Sequence, residues 1–328
     1  MKSLRGRSFL TLLDFEKEEI LGLLQLAHSL KAAGPGERLK NRHLVLLFEK
    51  RSTRTRCAFE IAMKNEGGHV TYLDKDSSQF SKKESIEDSA RIFGSYYDAI
   101  EYRGFDQSVL EKLALYSGVP VYNGLTDVDH PTQILADLMT IQEHVPKPLE
   151  KVKVVFVGDV RNNMAIAWMY GCGKLGMEYV GYGPKELFPP EEVLLTVEKL
   201  CKKSGGSFKL TDSVADIEGA DVLYTDVWVS MGEEDQMRER VRLLTPYRVT
   251  VDLIRATRNP NVKFMHCLPA FHDFETEVAK RALEEEDLDV REVTDEVFRS
   301  KQNIAFPEAV NRIHTIRAVL VATLADQY

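Results

Sequence analysis

No stretch of this chain is apolar for long enough to cross a bilayer, and no apolar block follows the charged first residues, so neither insertion nor secretion is expected. Cysteine is scarce as well. Cys57, Cys172, Cys201 and Cys267 lie far apart, with no C-x-x-C pair and no Cys/His spacing of a zinc site. Reduced thiols in a reducing compartment are expected, with the cytoplasm as the default location. The phosphate-loop sequence G-x-x-x-x-G-K-S/T is missing, which leaves a nucleotide-driven reaction without support. Gly171-Cys172-Gly173-Lys174-Leu175-Gly176 does satisfy G-x-G-x-x-G, but it follows a helical stretch and precedes a strand. That is the reverse of the dinucleotide-binding order, so the glycines read as a helix end and a turn. Internal repeats, low-complexity tracts and heptad arrays are absent too. Positive charge is in deficit, 43 Lys and Arg against 51 Asp and Glu, and the net charge of −8 argues against nucleic acid or an anionic membrane as partner. Any anion site must then be locally basic.

What is present is a soluble-type balance, 44% hydrophobic and 29% charged over 328 residues, long enough for two domains with a core each. Short β-rich runs alternate with longer helical runs, the mark of α/β architecture with doubly wound parallel sheets. Strands are predicted at 43–48, 69–73, 99–102 and 119–123, with helices at about 53–66, 84–97, 106–117 and 131–144. Pro146 and Pro148 then break the chain. The pattern restarts with the apolar strand 151–157, followed by strands at 178–182, 207–210, 221–225 and 262–265. Apolar spacing from Ala309 to Ala322 predicts a long last helix that packs back onto the first domain. The expected division is therefore 1–146 with about 307–328, and 147–306.

In open parallel sheets ligands bind beyond the carboxyl ends of strands, so polar clusters after strands are the candidates. The clearest is Ser52-Thr53-Arg54-Thr55-Arg56, where Ser52 caps a helix whose first N–H groups and two arginines suit a phosphate or carboxylate. A capped helix with solvated arginines is the plain alternative. Arg103 follows the third strand and would otherwise be a turn residue. His130-Pro131-Thr132-Gln133 opens a helix, with an imidazole able to donate to a carbonyl oxygen. Asn162 and Asn163 either cap a helix or bind an amino acid. Asp226 at a strand end suits an ammonium, Trp228 reads as packing, and Ser230-Met231-Gly232 reads as a polar loop with a glycine hinge. Cys267 adjoins His266, but neighbours in an extended segment point to opposite sides, so a thiolate activated by that imidazole is not expected.

In this order, STRTR, HPTQ, GDxRNNM, DVWVSMGE and HCLPAFHD resemble the carbamoyltransferase family across most of the chain. The first two motifs are common to its aspartate and ornithine branches, and the last two resemble the ornithine branch. The resemblance implies carbamoyl transfer from carbamoyl phosphate to the δ-amine of L-ornithine, with another amine such as putrescine as the alternative acceptor. It places the donor on Ser52, Thr53, Arg54, Thr55, Arg103, His130, Gln133 and Arg312, with Gln79 entering from a neighbouring subunit. Asn163, Asp226, Ser230 and Met231 match ornithine ligands, and Cys267 with the Leu268 carbonyl closes the site. Arg54, Arg103, His130 and Cys267 are the implied catalytic set. A homotrimer, or a multiple of trimers, with shared sites is implied, and no metal or organic cofactor is called for. Departures from the family pattern stand at Ser81, Ser95, Ala165, Ile166 and Val310.

Overall fold

A computed structural model of the chain describes residues 3–74, 80, 83–229 and 234–326. Contacts divide it into two compact units, residues 1–139 with 310–328, and residues 140–309. The expected division at Pro146 and the contact boundary differ because one helix, Pro131–His144, runs across the latter.

The first unit begins with α1 (Lys17–Ala33), β1 (His43–Phe48), α2 (Thr53–Lys64) and β2 (His69–Asp74). It continues with α3 (Ile86–Tyr96), β3 (Ala99–Arg103), α4 (Gln107–Tyr116), β4 (Val121–Leu125) and α5 (Pro131–His144). Its four strands lie all parallel in the order β2-β1-β3-β4. The fourth starts two residues later than the sequence pattern, at Val121, because Pro120 has no N–H for the ladder and contributes only its carbonyl, which accepts from Ile100. Val45, Leu47, Ile100, Tyr102, Leu110, Leu113 and Val121 form the core between sheet and helices.

The second unit contains β5 (Lys153–Val157), α6 (Asn163–Leu175), β6 (Glu178–Tyr182), α7 (Glu191–Ser204), β7 (Ser207–Thr211) and β8 (Val222–Thr225). Then come α8 (Met237–Leu244), α9 (Val251–Ala256), β9 (Lys263–His266), α10 (Glu277–Glu286) and α11 (Asp295–Phe298). Its five parallel strands follow the order β7-β6-β5-β8-β9, so the chain reverses direction across the sheet on either side of β5. The six-residue glycine motif ends α6, with Gly176 as a left-handed cap at φ 80, as the sequence order required. Val155, Val157, Val180, Leu223 and Phe264 fill the core beside Val249 and Val293.

The last helix, α12 (Ala305–Leu324), joins the first unit from Val310 onward. Arg317, 1% exposed, fixes it there: its Nε donates to Glu66 Oε1 at 2.5 Å and its Nη1 to the Leu30 carbonyl at 2.8 Å. Glu66 also accepts from Arg38 at 3.0 Å, so the buried carboxylate is doubly compensated. Removing one member of such a pair costs about 3–5 kcal/mol. Among the described residues no helix is long and apolar enough to cross a membrane.

Candidate active site

In the first unit, the turn after β1 leads into α2 with Ser52 as N-cap, its hydroxyl accepting from Thr55 N at 3.3 Å. One turn into that helix, the fully buried Thr55 hydroxyl accepts from two guanidiniums, Arg103 Nη1 at 3.2 Å and Arg312 Nη2 at 2.9 Å. Arg103 comes from the end of β3 and also donates to the Gly124 carbonyl at 3.2 Å, while Arg312 comes from α12. Three distant segments are thus tied to one side chain. Two buried like charges drawn to one hydroxyl repel each other and favour an anion in their vicinity.

Their electrostatic effect is visible on two neighbours. Burial, reinforced by Arg312 and Arg103, pushes the His130 imidazole well below its ordinary range, so it is neutral at pH 7 and can donate one hydrogen bond. Glu101 is fully buried, and neither carboxyl oxygen has a hydrogen-bond partner among the described residues. Burial raises its pKa well above the usual carboxylate range, against the opposing pull of Arg103 and Arg312. Its place depends on Gly124, where a Cβ would lie 1.7 Å from Glu101 Oε1.

The other sequence candidates of this unit fall as follows. Thr53 is exposed, and Ser52 and Arg54 are half-buried at the start of α2. Arg56, the second arginine of the motif, turns away: it pairs with Glu60 at 2.8 Å and lies over the Tyr72 ring at 3.7 Å. Gln133, buried in the first turn of α5, donates to Asp137 Oδ1 at 2.8 Å. Gln79 and Ser81 lie outside the described residues.

In the second unit the polar residues are drawn together from three strand ends. Asn162 caps α6 by accepting from Ala165 N at 2.8 Å, and its amide donates to Asp226 Oδ2 at 3.3 Å. Asn163 is the first residue of the helix and half-buried. Asp226, just past β8, accepts at Oδ1 from its neighbour Val227 N at 2.7 Å and from the Cys267 thiol at 3.1 Å. Trp228 is packed at 1% exposure among Val241, Leu244 and Leu288, as its sequence context indicated. Ser230 and Met231 lie outside the described residues.

His266 ends β9 fully buried, and its two ring nitrogens are engaged by Leu268 N at 2.9 Å and by Glu292 Oε1 at 3.0 Å. It therefore does not serve Cys267 as a base, in agreement with the alternation argument. The same engagement bears on metals. Asp226, His266 and Cys267 offer ligand atoms within 4.8 Å of one another, yet the imidazole has no lone pair left over. His272, Asp273 and Asp295 cluster likewise, but Arg299 already supplies the cation there, at 2.8 Å from Asp295 and 3.5 Å from Asp273.

Sequence reasoning passed over Glu101, Glu292 and Glu308. For Glu101 a signal existed: it shares a strand face with Arg103, two residues on, inside an otherwise apolar run.

A parallel α/β unit that gathers guanidiniums at its strand ends, and a second that gathers a carboxylate, an amide and a thiol, define a class of enzyme that handles an anionic donor and an amine. The chain belongs to the aspartate/ornithine carbamoyltransferase family: the carbamoyl-P binding domain of that family matches residues 7–143 and its Asp/Orn binding domain residues 150–323. It is 56% identical over 327 residues to a catabolic ornithine carbamoyltransferase of Clostridium perfringens, covering 98% of both chains. With ornithine carbamoyltransferase 1, catabolic, of Staphylococcus epidermidis it shares 52% over 332 residues, 99% of this chain and 100% of the other. The solved ornithine carbamoyltransferase of Pyrococcus furiosus superposes with a TM-score of 0.89 at 40% identity, covering 99% of each chain.

Proposed function

We propose that this chain transfers the carbamoyl group of carbamoyl phosphate to the δ-amine of L-ornithine, giving L-citrulline and phosphate. The observation that carries the reading is the meeting of Arg103 and Arg312 on Thr55 beside a neutral His130, a pocket suited to an acyl phosphate.

In the forward step the amine nitrogen attacks the carbamoyl carbon, the carbon–oxygen bond to phosphate breaks, and the amine proton leaves with the phosphate. Arg54, Arg103, Arg312 and the first turn of α2 balance the leaving charge, assisted by Ser52 and Thr53. His130 and Thr55 polarise the carbonyl and stabilise the oxyanion, with Gln133 beside the carbamoyl group. Asn163 and Asp226, with Ser230 and Met231, hold the amino acid, and Cys267 with the Leu268 carbonyl orients the δ-amine. Only the neutral amine attacks, and an alkyl ammonium has a pKa of about 10, so turnover rises with pH above neutrality.

The relatives above carry ornithine in their names, which favours this acceptor over putrescine. The family resemblance supports a trimer in which Gln79 reaches a neighbouring site. One transition state serves both directions, and the catabolic names of the two bacterial relatives favour the phosphorolysis of citrulline for this chain.

The test is product formation from carbamoyl phosphate with L-ornithine, putrescine, L-lysine and L-aspartate offered separately from pH 6.5 to 9.5. The expected result is citrulline from ornithine alone, rising with pH, from particles that light scattering weighs as a multiple of three chains. Product from another acceptor would overturn the assignment of the second unit and leave that of the first.

A further inference from the structure

We propose that the buried pair His266–Glu292 is a positioning device for the acceptor: it sets the backbone from Cys267 to Phe271, and so the places of the Cys267 thiol and the Leu268 carbonyl. The inference rests on the reading of the second unit as the ornithine-binding half.

The geometry fixes the protons first. His266 Nδ1 accepts from Leu268 N at 2.9 Å, so the ring proton resides on Nε2, which donates to Glu292 Oε1 at 3.0 Å. The same carboxyl oxygen accepts from Phe271 N at 2.6 Å. One imidazole and one carboxyl therefore hold the amide groups at both ends of the short segment 268–271. Leu268 within it has φ 53, a left-handed conformation that a leucine keeps only where its surroundings impose it.

The pair is itself held from the start of α12. Glu308 Oε2 accepts from His266 N at 3.1 Å, while Glu308 Oε1 accepts from the Tyr224 hydroxyl at 3.3 Å, so the ends of β8 and β9 are joined beneath the segment. His266, Glu292 and Glu308 are each fully buried. What this arrangement leaves facing outward is Cys267, whose Sγ lies 3.1 Å from Asp226 Oδ1. Glu292 thus acts on the acceptor through His266 and the backbone, in the way a second layer of hydrogen bonds orients the groups that touch a ligand.

The consequence is specific to one substrate. Loosening the segment displaces the thiol and the carbonyl that receive the amine, while the guanidinium pocket of the first unit does not depend on it. The experiment compares Glu292→Ala, Glu292→Gln and His266→Asn with the parent enzyme for ornithine KM, kcat, inorganic phosphate affinity and the alkylation rate of Cys267, read by peptide mass spectrometry. Glutamine keeps an acceptor oxygen for both bonds, and asparagine keeps one for Leu268 N alone.

The expected result for Glu292→Ala is an ornithine KM raised about tenfold or more, with an altered Cys267 alkylation rate and phosphate affinity within about twofold of the parent. Glu292→Gln stays within about threefold of the parent, and His266→Asn falls between the two, which carries the test if the alanine variant does not fold. Parent-like ornithine kinetics and Cys267 reactivity in both Glu292→Ala and His266→Asn would overturn the proposal. So would equal losses of ornithine and phosphate binding, the mark of general unfolding. A parent enzyme that binds phosphate but makes no citrulline would instead sink the reading of the second unit, and with it the acceptor; an altered Cys267 alkylation rate would still report the positioning.

Discussion

The two units use the same parallel architecture to collect charges of opposite sign at their strand ends. In the first, Arg103 and Arg312 are 8% and 3% exposed and share the Thr55 hydroxyl, beside an imidazole that those arginines help keep neutral. In the second, the side chain that receives hydrogen bonds from its neighbours is the carboxylate of Asp226, while the buried carboxyls of Glu292 and Glu308 hold His266 next to Cys267. The contrast teaches how each ligand's charge is anticipated. A dianion needs guanidiniums held in place before it arrives, because two free arginines would separate in water. An amino acid carrying an ammonium needs one carboxylate and correctly placed backbone.

The contrast is broken most directly by removing one charge from each side. Arg103→Ala should abolish measurable phosphate binding and lower turnover by about 10²–10³, the usual loss when a donor to a developing oxyanion is removed. Asp226→Asn should instead raise the ornithine KM about tenfold or more while leaving phosphate affinity within about twofold. Steady-state kinetics with phosphate titration on both variants checks the pair. If Asp226→Asn weakened phosphate as much as Arg103→Ala does, the division of labour between the units would be wrong.

The first unit also buries the carboxyl of Asp129, whose proton is coupled to folding. Burial pushes Asp129 up to about 7, against the Thr11 hydroxyl and the His130 amide, which favour the ionised form. Because the folded value lies above the unfolded one, the stability this group contributes is full below about pH 4 and is lost as pH rises to about 7. A shift of this size corresponds to an upper bound of about 4 kcal/mol. Asp129→Asn should therefore flatten the fall in unfolding free energy between pH 5 and pH 8 and make the protein more stable at pH 8. Urea melts at several pH values read it, and parallel pH profiles for parent and variant would refute the assignment.

How much of this was legible differs between elements and partners. Strands announced themselves as short β-branched runs, and the start of α2 by Ser52 ahead of a helical pattern, because both signals are local. The positions of Arg103, His130, Asp226 and Cys267 were legible for a related reason: each lies at or after a strand end. The supporting carboxyls were not. Glu292 meets His266 across 26 residues, Glu308 meets it across 42, and Glu66 meets Arg317 across 251. No periodicity links such pairs, and a glutamate in a helix or loop reads as solvated until the fold buries it. Arg56 shows the opposite error, since membership of a motif is no guarantee of direction, and Glu60 one turn later holds it outside.

Glu101 gives the finest test of the contrast. Its carboxyl stands against Gly124, whose carbonyl accepts from Arg103, and its charge is felt by both Arg103 and Arg312. With the pocket empty, those cations favour the ionised carboxylate against the cost of burial. A bound dianion offsets them and raises the value further, so above the empty-site value the carboxyl takes up a proton as phosphate binds. The sign follows: phosphate affinity of the parent enzyme falls as pH rises through the empty-site value, whereas Glu101→Gln, which imitates the protonated side chain, stays flat. At the alkaline end of the profile the variant should bind phosphate about three- to tenfold more tightly, and at the acid end the two proteins should agree. Phosphate's own ionisation is common to both and cancels in the comparison. Isothermal titration across that range decides it, and parallel profiles would mean that Glu101 keeps its proton throughout, leaving the first unit's positive charge fixed rather than proton-linked.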